Sequence, residues 1–136
     1  MIVTDTSVLA HLIIPSDKTP TARSILSLDR DWCAPVLWAS ELRSVLRKHL
    51  LVGNIDQQEA IDAMRLAYHV MEGGSGRVDD DLVLKLCSST RCSSYDAEYV
   101  AMAMTLAVPL LTWDRKLIKL FPEVAQTPDQ FASARS

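Results

Sequence analysis

Ile2-Val3-Thr4-Asp5-Thr6-Ser7-Val8-Leu9 decides the architecture. The apolar run from Met1 to Thr4 reads as a buried strand, since Ile, Val and Thr suit a pleated, crowded surface. Asp5, Thr6 and Ser7 then interrupt it with the residue types that open helices. A buried strand feeding straight into a helix is the start of a parallel α/β unit.

Outward from that stretch the alternation repeats. A helix is expected after Pro20 or slightly earlier, carrying Ala22, Ile25, Leu26 and Leu28. Trp32-Cys33-Ala34 reads as a short strand ended by Pro35. From Val36 to Leu51 the apolar residues 37, 38, 42, 45, 46 and 50 follow a helical period, and Gly53 is placed to cap that helix. Asp56 and Glu59 have capping-box spacing for the next helix, which ends at Gly73-Gly74. Arg77-Val78 is assigned as a very short strand, Asp79–Leu86 as a helix broken at Ser88-Ser89-Thr90, and Ser93 or Ser94 as the cap of a helix reaching Leu106. Val108–Thr112 is a second buried strand, Asp114 opens a short helix ended by Pro122, and Val124-Ala125 forms an edge strand. The expected fold is a single α/β domain over residues 1–136, with three α/β/α layers and a mainly parallel sheet of four to five strands.

Four carboxylates stand where such a sheet gathers its chemistry. Asp5 and Asp114 follow strands, and Glu41 and Asp96 lie near helix starts. Strand C-termini and helix N-termini meet in one crevice of a parallel sheet. Each acid alone has a structural explanation: Asp5 and Asp114 as N-caps, Asp96 in capping-box spacing with Ser93, Glu41 beside the positive end of its helix. Together they have a common one. Asp96 shares a stripe with Val100 and Ala103, and Glu41 with Leu37, Trp38 and Val45, so both point inward, where unpaired charge is rare. Oxygen ligands with few basic neighbours suit a hard cation, Mg²⁺ or Mn²⁺. The chemistry expected of one or two such ions is phosphodiester hydrolysis by an activated water. Thr6, Ser7 and Thr112 are the hydroxyls placed to orient the carboxylates. Arg43 and Arg115, with Lys116, Arg47 and Lys48 nearby, are the basic residues placed for a polyanionic substrate.

Composition limits the alternatives. The chain has 136 residues, 49% of them hydrophobic, and a formal charge of −3. Setting aside the four proposed ligands turns −3 into +1, so an acidic chain is compatible with a nucleic-acid substrate, although not with strong nonspecific duplex binding. No apolar run is long enough for a membrane span, and no basic segment precedes the first apolar run as in a signal peptide. Cys33, Cys87 and Cys92 match no zinc or redox spacing and read as reduced thiols of a cytoplasmic protein. His11, His49 and His69 lack metal-site spacing. Asp79-Asp80-Asp81 reads as a solvated helix start, and Gly73-Gly74-Ser75-Gly76 as a loop without the ending of a phosphate-binding motif. Trp113 is weighed as a base-stacking residue and assigned to packing.

Four segments in order resemble the PIN-domain family. Ile2–Leu9 is similar to its opening, and Ser40-Glu41-Leu42-Arg43-Ser44-Val45-Leu46 to its second acidic motif. Tyr95-Asp96-Ala97-Glu98-Tyr99-Val100-Ala101-Met102-Ala103 resembles the third, and Leu111-Thr112-Trp113-Asp114-Arg115-Lys116-Leu117 the fourth. The likeness extends to Thr127-Pro128-Asp129-Gln130-Phe131. Size and the helical pair between Val36 and Met71 are most like VapC-type toxins of toxin–antitoxin systems. That group often has Asn three residues after the second acid; Ser44 stands there in this chain, which implies altered substrate contacts. The resemblance implies a selective endoribonuclease, an RNA substrate, a homodimer and a cognate antitoxin protein.

Three other readings are set against this one. A receiver-type signalling domain would need a pair of acids after the first strand and a Lys ending a late strand, whereas this chain has Asp5 alone and Thr112. The others are a PIN-like DNA/RNA nuclease that is not a toxin, and an RNA-binding module without turnover.

Overall fold

Five short strands form one parallel sheet in the computed structural model, which describes residues 1–135. They are β1 (Ile2–Thr4), β2 (Trp32–Pro35), β3 (Ser75–Gly76), β4 (Leu110–Leu111) and β5 (Ala125–Gln126), in the spatial order β3-β2-β1-β4-β5. The helices are α1 (Thr6–Ile13), α2 (Thr19–Leu28), α3 (Trp38–Leu51), α4 (Gln57–Val70), α5 (Asp80–Ser89), α6 (Ser94–Leu106), α7 (Arg115–Leu120) and α8 (Pro128–Arg135). The fold is the expected α/β class with helices flanking a parallel sheet.

β1 is central, and Val3 pairs with Cys33 on one side and Leu110 on the other. Buried on both faces, it reads as a continuous apolar run rather than an alternating one. The chain builds β1, β2 and β3 outward in one direction, then crosses to β4 and β5 on the other side. The strand order therefore reverses between β1 and β4, and a crevice opens at their C-terminal ends. α6 packs against β1, β2 and β4. Its buried Ala97, Val100, Ala101 and Ala103 let it lie close to the sheet. α5 packs on α6, while α1 contacts α2, α3 and α4, and α8 covers α2.

The helix signals hold locally. Asp56 accepts from the Glu59 N–H at 2.8 Å and the Glu59 carboxylate accepts from the Asp56 N–H at 3.1 Å, a closed capping box. Gly53 takes φ +78° just past α3, where the Asn54 N–H reaches the His49 carbonyl. Asp79 caps α5, and all three acids of its run are exposed. The cysteines are free, with Cys33 buried and the other two half-buried.

The structure differs from the expected elements at four places. The edge strand beside β2 is Ser75–Gly76, not Arg77-Val78. Its partners are fixed by the backbone: the Ala34 N–H donates to the Gly74 carbonyl, and the Val36 N–H to the Gly76 carbonyl. The glycine-rich segment read as a loop supplies this strand because Gly74 lies so near β2 that an added Cβ would stand 1.9 Å from the Trp32 carbonyl oxygen. Second, α5 continues through Ser88 and Ser89, whose hydroxyls bond back to the Lys85 carbonyl instead of breaking the helix. Third, the sequence gives no clear sign of α8, in which only Pro128 and Phe131 are buried. The last strand also sits one residue later than expected, at Ala125–Gln126.

Candidate functional site

Asp5 leaves β1 at the reversal point, and its N–H donates to the Leu111 carbonyl of β4 at 3.2 Å. Its carboxylate is held on both oxygens. Oδ1 accepts from the Ser7 hydroxyl at 2.6 Å and from the Val8 N–H at 3.2 Å, which also caps α1. Oδ2 accepts from the Thr112 hydroxyl. Thr112 in turn accepts from the Asp114 N–H at 3.0 Å, so one buried hydroxyl ties the two strand-end acids together.

Glu41 enters from the first turn of α3, where it is half-buried. Its Oε1 accepts from the Tyr99 hydroxyl at 2.6 Å and lies 3.0 Å from the Thr6 hydroxyl. Thr6 and Tyr99 are themselves 2.8 Å apart. Two hydroxyl protons thus serve three contacts, and the carboxylate is fixed from β1's exit and from α6 at once. Tyr99 is buried and was given no role in the sequence reading, although it stands three residues after Asp96 on the same helix. Burial first, then the bond to Glu41, holds its phenol far above its ordinary range.

Asp96 sits in the first turn of α6. The Ser93 hydroxyl oxygen caps that helix by accepting from the Asp96 N–H at 3.1 Å. Asp114 caps α7 through the Lys116 N–H at 2.9 Å and is exposed. The capping roles weighed against function are therefore real for Asp5 and Asp114, and both caps stand on one edge of the sheet.

Electrostatics connect the four acids. Asp5 is pushed above the ordinary carboxylate range mainly by burial, with the charge of Asp114 adding to the rise and three hydrogen bonds opposing it. Asp96 is raised by burial, then by Asp114, and also by Glu41. Glu98, which was not singled out from sequence, is raised by burial and by Glu41. Mutual repulsion therefore runs from Asp5 through Asp114 and Asp96 to Glu41.

The four carboxylates are hard oxygen donors and fit a hard divalent cation; Cys92 also lines the cavity of Asp96 and Asp114. Among the described residues no three His, Cys, Asp or Glu side chains stand close enough to form a ready cage. An ion that keeps part of its water shell suits such spacing.

The basic candidates are distributed unequally. Arg43 donates to the Tyr68 hydroxyl at 3.0 Å and lines a groove between α3 and α4, and Ser44 is exposed on the same helix. Arg115 is exposed at the start of α7. A cavity of about 570 Å³ contains Asp96 and Asp114, and its basic walls are Arg91, Lys116 and Lys119. Trp113 is occupied structurally: its indole N–H donates to Asp129 at 2.8 Å, His11 meets its ring edge-on and Lys18 stands over it.

Comparison with known proteins gives a consistent picture. The PIN domain family model matches residues 2–122. Ribonuclease VapC3 of Pyrobaculum aerophilum is 27% identical over 124 residues, covering 89% of this chain and 95% of its own. The crystal structure of PAE2754 from Pyrobaculum aerophilum superposes with a TM-score of 0.78 over 98% of this chain and 94% of that one. At 19% identity that likeness concerns the fold.

Proposed function

The chain belongs to the PIN domain family, and from that premise we propose that it is a Mg²⁺- or Mn²⁺-dependent endoribonuclease, the toxin of a type II toxin–antitoxin pair. The observation that carries the reading is the placement of the four acids where the strand order reverses: Thr112 joins Asp5 to Asp114, Asp114 and Asp96 line one cavity, and Glu41 is bonded to Thr6 beside Asp5. Four carboxylates from four different elements would destabilise that edge unless a cation or a phosphate-bound metal neutralised them. Similarity to a protein named Ribonuclease VapC3 supports RNA as the substrate.

In this reading Asp5, Glu41, Asp96 and Asp114 hold the ion or ions. A bound Mg²⁺ or Mn²⁺ supplies Lewis acidity toward the phosphate and lowers the pKa of water at neutral pH. The rest is done by the chain. Ser7, Thr112 and the Val8 N–H fix the orientation of Asp5, and Thr6 and Tyr99 fix that of Glu41. Carboxylates held in this way need little reorganisation when charge builds up on the phosphate. No histidine and no protein nucleophile is required.

A homodimer, a cognate antitoxin and a cytoplasmic site of action complete the proposal. Exposed Leu50, Leu51 and Val52 at the end of α3 support protein–protein contact there. Among the described residues no helix is long and apolar enough to cross a membrane.

The test is induced expression of wild type and Asp5→Asn, with mapping of newly formed RNA 5′ ends. Growth arrest and discrete cuts with wild type alone are expected. If purified wild type cuts no RNA with Mn²⁺ present, the protein is a binding module or a DNA-directed nuclease instead.

A further inference from the structure

Arg91, Lys116 and Lys119 share the cavity of about 570 Å³ that contains Asp96 and Asp114. All three are exposed. None is engaged in an ion pair among the described residues, where the pairs are Met1 with Asp29 and Arg65 with Asp62. Three cations thus line the same space as two carboxylates without closing onto them. They come from different elements: Arg91 from the α5–α6 connection, Lys116 and Lys119 from one side of α7, three positions apart and so on neighbouring turns. Leu117 and Leu120 also line this space.

On α3 the cations Arg43 and Arg47 line the groove toward α4 instead. Arg43 is turned to Tyr68 on α4, and Glu98 adds a further negative charge near Glu41. The cavity that holds Asp96 and Asp114 therefore takes its cations from α7 and the α5–α6 connection and none from α3.

We propose that Arg91, Lys116 and Lys119 form a track for the phosphates flanking the scissile bond, so that the RNA strand leaves the acidic site over α7 and not over α3. The proposal rests on the ribonuclease reading above and deepens it by assigning the substrate's path. A single strand is the form that fits: its backbone follows one basic wall into a recess, whereas a duplex presents two backbones and needs positive charge on both sides. The three residues position substrate; the reacting phosphate belongs to the carboxylates.

The experiment measures binding without turnover. Asp5→Asn protein is titrated with a 5′-fluorescent single-stranded RNA of roughly 12 nucleotides in Mn²⁺, across a series of salt concentrations. The same background then carries Arg91→Gln, Lys116→Gln and Lys119→Gln together. A matched control removes three exposed charges elsewhere: Arg23, Arg30 and Lys85. Each phosphate contact contributes about 0.7 to the slope of log affinity against log salt for a single strand, so the track variant is expected to lose about 2 from that slope. Its affinity at low salt is expected to fall at least about tenfold, with the control unchanged. Melting curves confirm that both triple variants remain folded, and the three single variants are each expected to lose part of the slope. Equal slopes for track variant and control, while wild type still cuts RNA, overturn the track and leave the nuclease reading standing. Failure of wild type to bind or cut any RNA overturns both.

Discussion

The Tyr99 hydroxyl donates to Glu41 Oε1 at 2.6 Å, joining the middle of α6 to the first turn of α3 across 58 positions of sequence. With Thr6 alongside, this bond fixes a carboxylate that otherwise projects from a helix start lacking any side-chain cap. The site's geometry is set by such neighbours as much as by the acids themselves.

Tyr99→Phe removes that donor and leaves the ring in place. We expect the Mn²⁺ concentration needed for half-maximal cleavage to rise about 10-fold or more, with little change in melting temperature of the metal-free protein. Because the phenol is held far above its ordinary range, it stays protonated as a donor throughout the working pH range, and no alkaline limb of the pH–rate profile should move in the variant. An unchanged metal requirement would remove Tyr99 from the site.

Metal-free protein should gain stability from Asp5 as pH falls. Burial raises the folded-state pKa of Asp5 above its ordinary value of 3.8. The folded state therefore binds a proton more tightly than the unfolded chain, and stability rises as pH drops through the folded pKa toward 3.8. Asn at this position keeps Oδ1 for Ser7 and Val8 but carries no charge. The predicted signature is an Asp5→Asn protein more stable than wild type at neutral pH without metal, with the difference shrinking on acidification. Chemical denaturation at several pH values measures it, and added Mn²⁺ should narrow the gap by stabilising wild type.

Thr4 Oγ1 is buried at the end of β1 and finds no hydrogen-bond partner among the described residues. A buried hydroxyl left unpaired is costly, so Thr4→Val should be neutral or stabilising by about 1 kcal/mol. A clear loss of stability in urea titration would show that the hydroxyl does have a partner in solution.

Gly74→Ala should be strongly destabilising despite the small change. The added carbon would meet the backbone of Trp32, which cannot rotate away as a side chain could. A loss of about 1–3 kcal/mol is expected, together with faster amide exchange at Ala34 and Val36, the donors to β3. Unchanged exchange at those two amides would mean that β3 does not depend on this close approach.

Much of the fold follows from local signals, because each depends on chemistry within a few residues. Ile2–Thr4 is apolar on both faces and must be covered on both. Asp5, Asp56 and Ser93 satisfy N–H groups three positions ahead of them. Gly53 supplies a positive φ where α3 stops. These features fix strand–helix alternation and hence a parallel sheet, and they put the four acids at element ends, where only one edge of such a sheet can receive them.

Tertiary structure decided what no local pattern encodes. Ser75–Gly76 becomes a strand only because Gly74 can lie against Trp32, and neither residue has strand propensity of its own. Phe131 starts a buried contact in α8 only because α2 lies opposite. Arg43 follows Glu41 by two positions, yet Tyr68 on the next helix draws its guanidinium toward the α3–α4 groove. Arg91 and Lys119, each five positions from an acid of the site, enter the acidic cavity instead. The sequence determined which groups carry charge and where each element begins, since those depend on neighbours along the chain. Which charges face one another was left to the packing of distant elements, because a side chain's partner across a fold is chosen by burial and approach, not by spacing.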